Sequence, residues 1–239
     1  DQLQKIIAPY FLRHTKRDVL KELPDRVEED IVFELSGSER KIYDAVKKEL
    51  LAQIEHAALS KISWATINLS LTKIIRLRQI VDSLELVGEK IQSSKMAIAE
   101  ELIETIGQRI LLFTQFSQMV NILEKRLNKL KYQTFKISGE VKGEDRLKAV
   151  EDFNKSEKGI LLSTDAGAYG LNITGASYII MYDLPWAIGR YEQRVGRSER
   201  LGNIAEKVTI YTLLAKDTVD FFVRDTLRSK QQSAEEMFA

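Results

Sequence analysis

Between residues 94 and 215, short apolar runs alternate with longer amphipathic stretches, and this alternation restricts the fold more than any other feature of the sequence. The apolar runs have the length of strands, and they are Ile110–Phe113, Tyr132–Ile137, Ile160–Leu162, Tyr178–Tyr182 and Val208–Leu214. Strands that alternate with helices of about 10–15 residues are typical of βαβ units and a parallel sheet. The sequence therefore predicts an α/β domain over residues 94–215, with Gly107 ending its first helix.

The sequence outside residues 94–215 has a different pattern. Residues 26–35 alternate apolar and acidic side chains, which predicts a strand. Apolar residues then recur three or four positions apart from Ile42 to Ile54 and from Ile67 to Val81, which predicts a helical block from residue 37 to about 90. The tail, residues 217–239, is predicted to be an amphipathic helix. We therefore divide the chain into segments 1–35, 36–93, 94–215 and 216–239.

The charge balance and the scarcity of Cys and His exclude several classes of protein. The 36 Lys and Arg residues against 35 Asp and Glu leave a net charge of +1, which excludes a uniformly basic nucleic-acid coat but is compatible with a local basic groove. With no Cys, the chain has no disulfide framework, thiol nucleophile, iron–sulfur cluster or Cys-ligated zinc site, and its two His, His14 and His56, disfavour a multi-His metal centre. No apolar run approaches the ~18 residues of a membrane span, and the first residues lack a signal-peptide core. We expect an intracellular protein without membrane contact.

Residues that can bind phosphate follow three of the predicted strands. In open parallel sheets, ligands lie at the carboxyl ends of the strands. The residues at these positions are Thr114, Gln115, Ser138, Gly139, Ser163 and Thr164. Hydroxyls and free backbone amides at helix starts suit phosphate oxygens. Ordinary capping of the next helix by Ser and Thr is the alternative explanation.

A second candidate site is the run of residues 193–202, which contains Arg197 and Arg200. These two arginines are three residues apart, so on a helix they lie on one face. Two guanidinium groups on one face can hold a phosphoryl group and neutralise the charge that develops on it during transfer. The alternative is a solvated surface helix in which Glu192 and Glu199 are the partners of the arginines.

Parts of a complete nucleotide-hydrolysing site are missing from the sequence. The 239 residues contain no G-x-x-x-x-G-K-[ST] phosphate loop, and no apolar strand ends in an Asp-Glu pair that could hold magnesium beside such a loop. The chain alone therefore cannot assemble a complete NTPase site. A small-molecule Rossmann enzyme is disfavoured as well, because no G-x-G-x-x-G follows the first strand.

Residues 159–202 resemble the motif V to motif VI region of the Swi/Snf family of superfamily 2 helicase-like DNA translocases. The family patterns are near S-T-x-A-G-G-x-G-x-N-L, Y-D-x-x-W-N-P and Q-x-x-x-R-x-x-R-x-G-Q. The matching residues are Ser163, Thr164, Ala166, Gly167, Gly170, Asn172, Tyr182, Asp183, Trp186, Gln193, Arg197, Arg200 and Gly202. The departures are Ala168 for Gly, Ala187-Ile188 for Asn-Pro, and Asn203 for the last Gln. None of them removes an arginine.

The resemblance extends over nearly the whole chain. Arg109–Leu127 looks like family motif IV, Ser138–Asn154 is similar to the stretch that follows it, and Phe11–Glu28 resembles the junction between the two family lobes. Leu77–Ile80 is similar to part of the family's helical protrusion. The resemblance therefore implies a C-terminal RecA-like lobe (94–215) with a junction and first strand (1–35), a helical protrusion (36–93) and a brace helix (216–239). The short protrusion indicates an archaeal or bacterial member.

By this resemblance, ATP and Mg²⁺ bind between this lobe and a first lobe that brings the phosphate loop and the metal ligands. Arg197 and Arg200 then act as arginine fingers, Gln193 orients them or contacts the phosphates, and Gly170 and Asn172 line the nucleotide side. Trp186 either couples DNA to the ATP cleft or fills the core of the lobe. The residues expected to contact the DNA backbone are Thr114, Gln115, Ser138, Gly139, Ser163 and Thr164.

The function implied by the resemblance is a DNA-dependent ATPase that translocates on double-stranded DNA. Its partners are the duplex and its own first lobe, and the 239-residue chain alone is expected to be inactive. One alternative is a lobe that binds DNA or a protein without an ATP cycle, which an upstream sequence without a Gly-Lys-Thr loop would favour. Another is a superfamily 2 motor that acts on RNA or unwinds duplexes, which a comparison of stimulating nucleic acids distinguishes.

Overall fold

The computed structural model describes residues 24–58, 64–165, 171, 173, 175–198 and 207–238. Within these residues, six strands form one sheet. The strands are β1 (Asp25–Phe33), β2 (Ile110–Phe113), β3 (Thr134–Ile137), β4 (Ile160–Ser163), β5 (Tyr178–Met181) and β6 (Lys207–Ala215). Their order across the sheet is β1-β6-β5-β2-β4-β3, and all neighbouring strands are parallel. The predicted α/β fold with a parallel sheet is confirmed.

Helices connect the strands and form the block that precedes β2. They are α1 (Gly37–Ala58), α2 (Trp64–Asp82), α3 (Ser94–Ile106), α4 (Ser117–Lys129), α5 (Gly143–Lys155), α6 (Ile188–Val195) and α7 (Val219–Phe238). A short 3-10 helix, Leu84–Val87, lies between α2 and α3. Helix α3 ends as predicted at Gly107, whose φ of 57° is a left-handed conformation that glycine adopts without steric cost.

The predicted helical block is interrupted earlier than expected. Helix α2 ends at Asp82, where the sequence pattern predicts helix to about residue 90. The Ser83 hydroxyl accepts a hydrogen bond from the Glu85 amide and starts the 3-10 turn, and Gly88 ends that turn with a φ of 91°. Leu84 in the 3-10 turn is buried, so an apolar residue is still needed at this position although the α-helix has ended.

The burial of the central strands accounts for their apolar sequences. Strands β2 (ILLF) and β4 (ILLS) are buried along their whole length. Helices cover both faces of a parallel sheet, so its inner strands are near-continuous apolar runs. Strand β1 lies at the edge and is largely accessible, which allows the acidic residues that alternate along it.

Strand β1 belongs to the same sheet as the strands after residue 94. It pairs in parallel with β6 along its whole length, from Asp25 beside Lys207 to Phe33 beside Ala215. The boundaries predicted at residues 35, 93 and 215 stay a prediction, but the sheet contains strands on both sides of residues 35 and 93. None of the helices in the described residues has both the length and the apolar character needed to span a membrane.

Candidate functional site

The parallel sheet brings the residues at and directly after the carboxyl ends of β2, β3, β4 and β5 to one side of the molecule. We call this side the strand-exit edge and define it by Thr114-Gln115, Ser138-Gly139, Ser163-Thr164 and Asp183–Trp186. Since β2, β4 and β3 are neighbours in the sheet, the three predicted phosphate-binding exits lie next to each other. The sequence-based expectation that they share one edge is confirmed by this topology.

The Asp183 carboxylate lies at the centre of the strand-exit edge and is fully buried. It accepts a hydrogen bond from the Thr114 hydroxyl at 2.5 Å. The backbone amide of Gln115 donates to both oxygens of the carboxylate, at 2.9 and 3.0 Å. The Thr114 hydroxyl also accepts from the Phe116 amide at 3.3 Å. Asp183 therefore ties the exit of β5 to the exit of β2.

Two buried arginines flank Asp183. Arg78 from α2 and Arg194 from α6 each place a terminal nitrogen 3.6 Å from Asp183 Oδ1. The Arg194 Nε donates to Asp165 Oδ1 at 2.6 Å, and its Nη1 donates to the Asp183 carbonyl oxygen at 2.6 Å. Buried charges are tolerated when they are paired. Both arginines pair with Asp183 here, although Arg78 Nε and Arg194 Nη2 are buried without a hydrogen bond to any of the described residues.

Both arginines also lie over aromatic rings. The Arg194 guanidinium carbon is 5.5 Å from the centre of the Phe113 ring, and that of Arg78 is 5.1 Å from the centre of the Trp186 ring. These distances are those of cation–π contacts. Trp186 keeps 37% of its surface exposed, so it does not fill the core of the lobe. Of the two roles expected for Trp186, filling the core does not agree with this exposure, and coupling DNA to the ATP cleft stays a prediction.

The strand-exit hydroxyls are mostly occupied inside the protein. Thr114 and Ser163 are fully buried, and the Ser163 hydroxyl donates to the Thr164 carbonyl oxygen at 3.0 Å. The N-cap residue of α4 is Phe116 and that of α5 is Lys142, and in the described part of the chain neither forms a capping hydrogen bond through its side chain. Capping therefore does not explain the hydroxyls before these two helices. Contacts of Thr114 and Ser163 with phosphate stay a prediction, and their buried hydroxyls do not support it.

The remaining predicted DNA-contact residues differ in their access to solvent. Gly139 is exposed and Gln115 is half-buried, whereas Ser138 and Thr164 are buried with 2% and 4% of their surface accessible. The Gly139 carbonyl oxygen accepts from Arg146 at 3.2 Å, and the Ser138 carbonyl oxygen accepts from the Val141 amide at 3.2 Å. The accessible surface at the strand-exit edge thus comes from Gln115, Gly139 and Trp186.

Arg197 does not lie on a helix, contrary to the expectation that it shares a helical face with Arg200. Helix α6 ends at Val195, and the amides of Arg197 and Ser198 donate to the carbonyl oxygens three residues back, at 3.2 and 3.0 Å. This tighter turn moves Arg197 inward, where it is buried with 9% accessible and its Nη1 lies 3.5 Å from the Leu171 carbonyl oxygen. The alternative explanation, a solvated surface helix, is also wrong for Arg197, because this residue is buried and lies after the helix.

The other predicted nucleotide-side residues fall into two groups. Gln193 is exposed on α6. Gly170, Asn172 and Arg200 lie outside the described residues, and their predicted roles stay predictions. Glu192, one of the partners considered for the arginines, pairs instead with Arg26 of β1, where the Nη1 to Oε2 distance is 3.1 Å.

A second buried charge cluster joins the helices to the sheet. Lys95 at the start of α3 is fully buried, and its Nζ lies 2.8 Å from Asp82 Oδ1 and 2.9 Å from Asp220 Oδ2. The Tyr182 hydroxyl, directly after β5, donates to the Asp82 carbonyl oxygen at 2.7 Å. Lys95 thereby connects the end of α2, the start of α3 and the start of α7 beneath the strand-exit edge.

The two carboxylates of this cluster are held differently. Burial raises the pKa of Asp82 to about 8, against the opposing effect of Lys95, and the carboxylates of Asp183 and Asp220 act in the same direction as burial. Asp220 Oδ2 also accepts from the Ala215 amide at 3.2 Å. Burial lowers the pKa of Lys95, but the charges of Asp220 and Asp82 outweigh it and the net shift is upward. Because one lysine faces two buried carboxylates, the folded protein favours the protonated form of Asp82.

We expect Asp82 to reduce the stability of the protein as the pH rises. Its carboxyl has a pKa near 3.9 in an unfolded chain and about 8 in the folded protein, so the folded state holds the extra proton between these values. The contribution is complete below pH ~4 and is lost as the pH rises through ~8. Asp82→Asn removes this titration, so urea unfolding across that range should show a shallower decline for the variant. Equal pH slopes in the two proteins would contradict this assignment.

Sequence reasoning missed Arg78, Lys95 and Arg194 as members of the site. Arg78 stands within an apolar helical stripe, between Leu77 and Ile80, and a charged residue in such a position is a signal of a buried ion pair. Lys95 has no comparable signal, because residues 91–95 are mostly polar. In the described residues, no group of three or more His, Cys, Asp or Glu side chains is arranged to hold a metal ion.

Two protein-family models match the chain. The model described as "Helicase conserved C-terminal domain" matches residues 94–202, and the model described as "SNF2-related domain" matches residues 1–86. Together the two models extend over most of the sequence, on either side of the short segment that leads into α3.

Curated relatives are similar over nearly the whole chain. The chromatin structure-remodeling complex subunit snf21 of Schizosaccharomyces pombe is 29% identical over 92% of this chain, which covers 20% of that protein. The mouse chromodomain-helicase-DNA-binding protein 1-like is 30% identical over 97% of this chain, which covers 27% of that protein. The chain thus spans about a quarter or less of these relatives.

A solved structure has a similar fold. The Sulfolobus solfataricus SWI2/SNF2 ATPase core in complex with double-stranded DNA matches with a TM-score of 0.74 and 28% identity. The match covers 97% of this chain and 50% of that core. The sheet described above is therefore RecA-like, as the sequence motifs imply.

Proposed function

The chain belongs to the Snf2 family of helicase-like ATPases, and on this basis we propose that it is the second lobe of an ATP-dependent motor that moves along double-stranded DNA. The observation that carries the proposal is the strand-exit edge, where family motif residues lie at the ends of four strands and Asp183 joins the exit of β5 to the exit of β2. In open α/β sheets this edge is where ligands bind. The similarity to a core that was solved with duplex DNA supports DNA as the ligand.

The nucleotide side of the proposed motor is formed by the end of α6 and the residues that follow it. Arg197 Nη1 donates to the carbonyl oxygen of Leu171, the residue between Gly170 and Asn172 in the sequence. In the proposal, Arg197 and Arg200 present guanidinium groups to the γ-phosphate of ATP, and the exposed Gln193 orients them or contacts the phosphates. Guanidinium groups stabilise the negative charge that develops on the transferred phosphoryl group.

The proposed motor requires groups that come from outside the described residues. Magnesium would neutralise charge on the β- and γ-phosphates, and its ligands and the phosphate loop would come from the first lobe. Closure of the two lobes on ATP would bring the arginines to the phosphate, and opening after hydrolysis would move the lobes along the duplex.

The DNA side of the proposed motor lies at the strand exits of β2, β3 and β5. Gln115, Gly139 and Trp186 supply its accessible surface, while Thr114 and Ser163 support it from below through their buried hydrogen bonds. Ser138 and Thr164 can contribute only limited surface, because both are buried. Contacts of this kind position the backbone without reading bases, so we expect little sequence preference.

The test of this function is ATP hydrolysis by the full-length protein in the presence of linear duplex DNA, single-stranded DNA or RNA. We expect the strongest stimulation from the duplex, and no hydrolysis above background from the 239-residue chain alone. Hydrolysis by the isolated chain would contradict the division of the site between two lobes. Equal stimulation by RNA would favour the RNA motor, and no hydrolysis with any nucleic acid would favour a lobe that only binds.

A further inference from the structure

Arg78 contacts the two most solvent-accessible side chains of the strand-exit edge, Gln115 and Trp186. It projects from the last turns of α2, and 1% of its side chain is exposed. We propose that Arg78 is a positioning residue that fixes Gln115 and Trp186 for contact with the DNA backbone. This inference rests on the proposed function, because it concerns the DNA surface of the same site.

The first contact of Arg78 orients Gln115. The Arg78 Nη1 donates to Gln115 Oε1 at 3.0 Å. This bond fixes the amide oxygen toward the protein, which leaves the amide NH₂ group of the half-buried Gln115 as the donor that can reach solvent. A phosphate oxygen can accept a hydrogen bond from an NH₂ group that is held in this way.

The second contact of Arg78 supports Trp186. The guanidinium carbon lies 5.1 Å from the centre of the indole ring, whose surface is 37% exposed. The Arg78 Nη2 also donates to the carbonyl oxygen of Leu184, two residues before the tryptophan. The ring and the backbone that carries it are therefore held by one guanidinium group.

The planar guanidinium group explains why an arginine occupies this position. It donates to Gln115 and Leu184 through separate nitrogens, lies 3.6 Å from Asp183 and lies over the Trp186 ring at the same time. A lysine ammonium could keep the charge next to Asp183, but it lacks the planar fork that makes the other contacts together. Arg78→Lys therefore removes the contacts that orient Gln115 and Trp186 but keeps a positive charge beside Asp183.

The experiment uses the full-length protein with Trp64→Phe, which leaves Trp186 as the reporter in this chain; any tryptophan outside the chain is replaced as well. Arg78→Lys is compared with Arg76→Lys, a matched control on the same helix whose guanidinium donates to the Val87 carbonyl oxygen instead. Tryptophan emission, thermal unfolding and affinity for a short duplex are measured for each protein.

We expect Arg78→Lys to shift the Trp186 emission to longer wavelength and to weaken duplex binding about fivefold to twentyfold, because one charge-assisted hydrogen bond and one cation–π contact are lost. Arg76→Lys should change neither. A lower unfolding temperature with unchanged emission and unchanged duplex affinity would show that Arg78 is only structural, and it would overturn the inference. If the protein with Arg78 intact does not bind duplex DNA, the proposed function fails, whereas unchanged emission in Arg78→Lys refutes the positioning role separately.

Discussion

Replacing Arg197 with alanine is expected to reduce ATP hydrolysis by the full-length protein about 10³–10⁵-fold, the effect of removing an arginine finger in related NTPases. Arg200→Ala is expected to have an effect of the same order, since both residues match the arginines of the family motif. The affinity for duplex DNA should stay nearly constant in both variants, because the DNA side of the proposed site lies at the strand exits. Steady-state ATPase assays with saturating duplex measure the loss.

The controls for this prediction separate catalysis from folding. Arg197 is buried, so alanine can also disturb the turn after α6, and thermal unfolding of each variant is needed beside the rate. Arg197→Lys keeps the charge but loses the fork, and we expect it to remain folded and to recover little of the rate. Arg228→Ala is the control, because its side chain is 63% exposed and pairs with Asp30 of β1, away from the predicted nucleotide residues in sequence. DNA-stimulated hydrolysis that survives in both Arg197→Ala and Arg200→Ala would refute the assignment of arginine fingers.

Replacing Lys95 with methionine is expected to lower the free energy of unfolding by about 3–5 kcal/mol, the usual cost of removing one partner from a buried ion pair. Methionine has a similar volume, so the loss comes from the charges and not from a cavity. Without Lys95, the carboxyls of Asp82 and Asp220 stay buried without the cation that lies within 3 Å of each. Denaturant unfolding of the chain measures the change.

Two further variants show whether the cost comes from unpaired charge. Lys136→Met removes an ion pair with Glu124 of similar length, 2.7 Å, in which both side chains are about a third exposed. We expect this control to lose less than about 1 kcal/mol, because solvent screens the pair. Adding Asp82→Asn and Asp220→Asn to Lys95→Met should recover part of the lost stability, because no charge is then left unpaired. A Lys95→Met variant no less stable than Lys136→Met would contradict the structural role of the cluster.

The sequence alone predicted the parallel sheet and most of its strands. Ile110–Phe113 was placed correctly from its apolar run, and the end of α3 from Gly107, because both signals are local. The position of the three hydroxyl-bearing exits on one edge also followed, since parallel strands have their carboxyl ends on the same side. Residues that match a family motif by spacing, such as Asp183 and Trp186, were identified without the structure.

The tertiary structure decided what these residues contact. Arg78 reaches the Leu184 carbonyl oxygen, 106 residues away in the chain, and the Tyr182 hydroxyl reaches the Asp82 carbonyl oxygen, 100 residues away. Hydrophobic periodicity reports only which face of an element is buried, so it could not show that Thr114 faces inward to Asp183 or that α6 ends before Arg197. Burying a charge depends on a partner supplied by a distant segment, and that pairing exists only once the sheet has assembled.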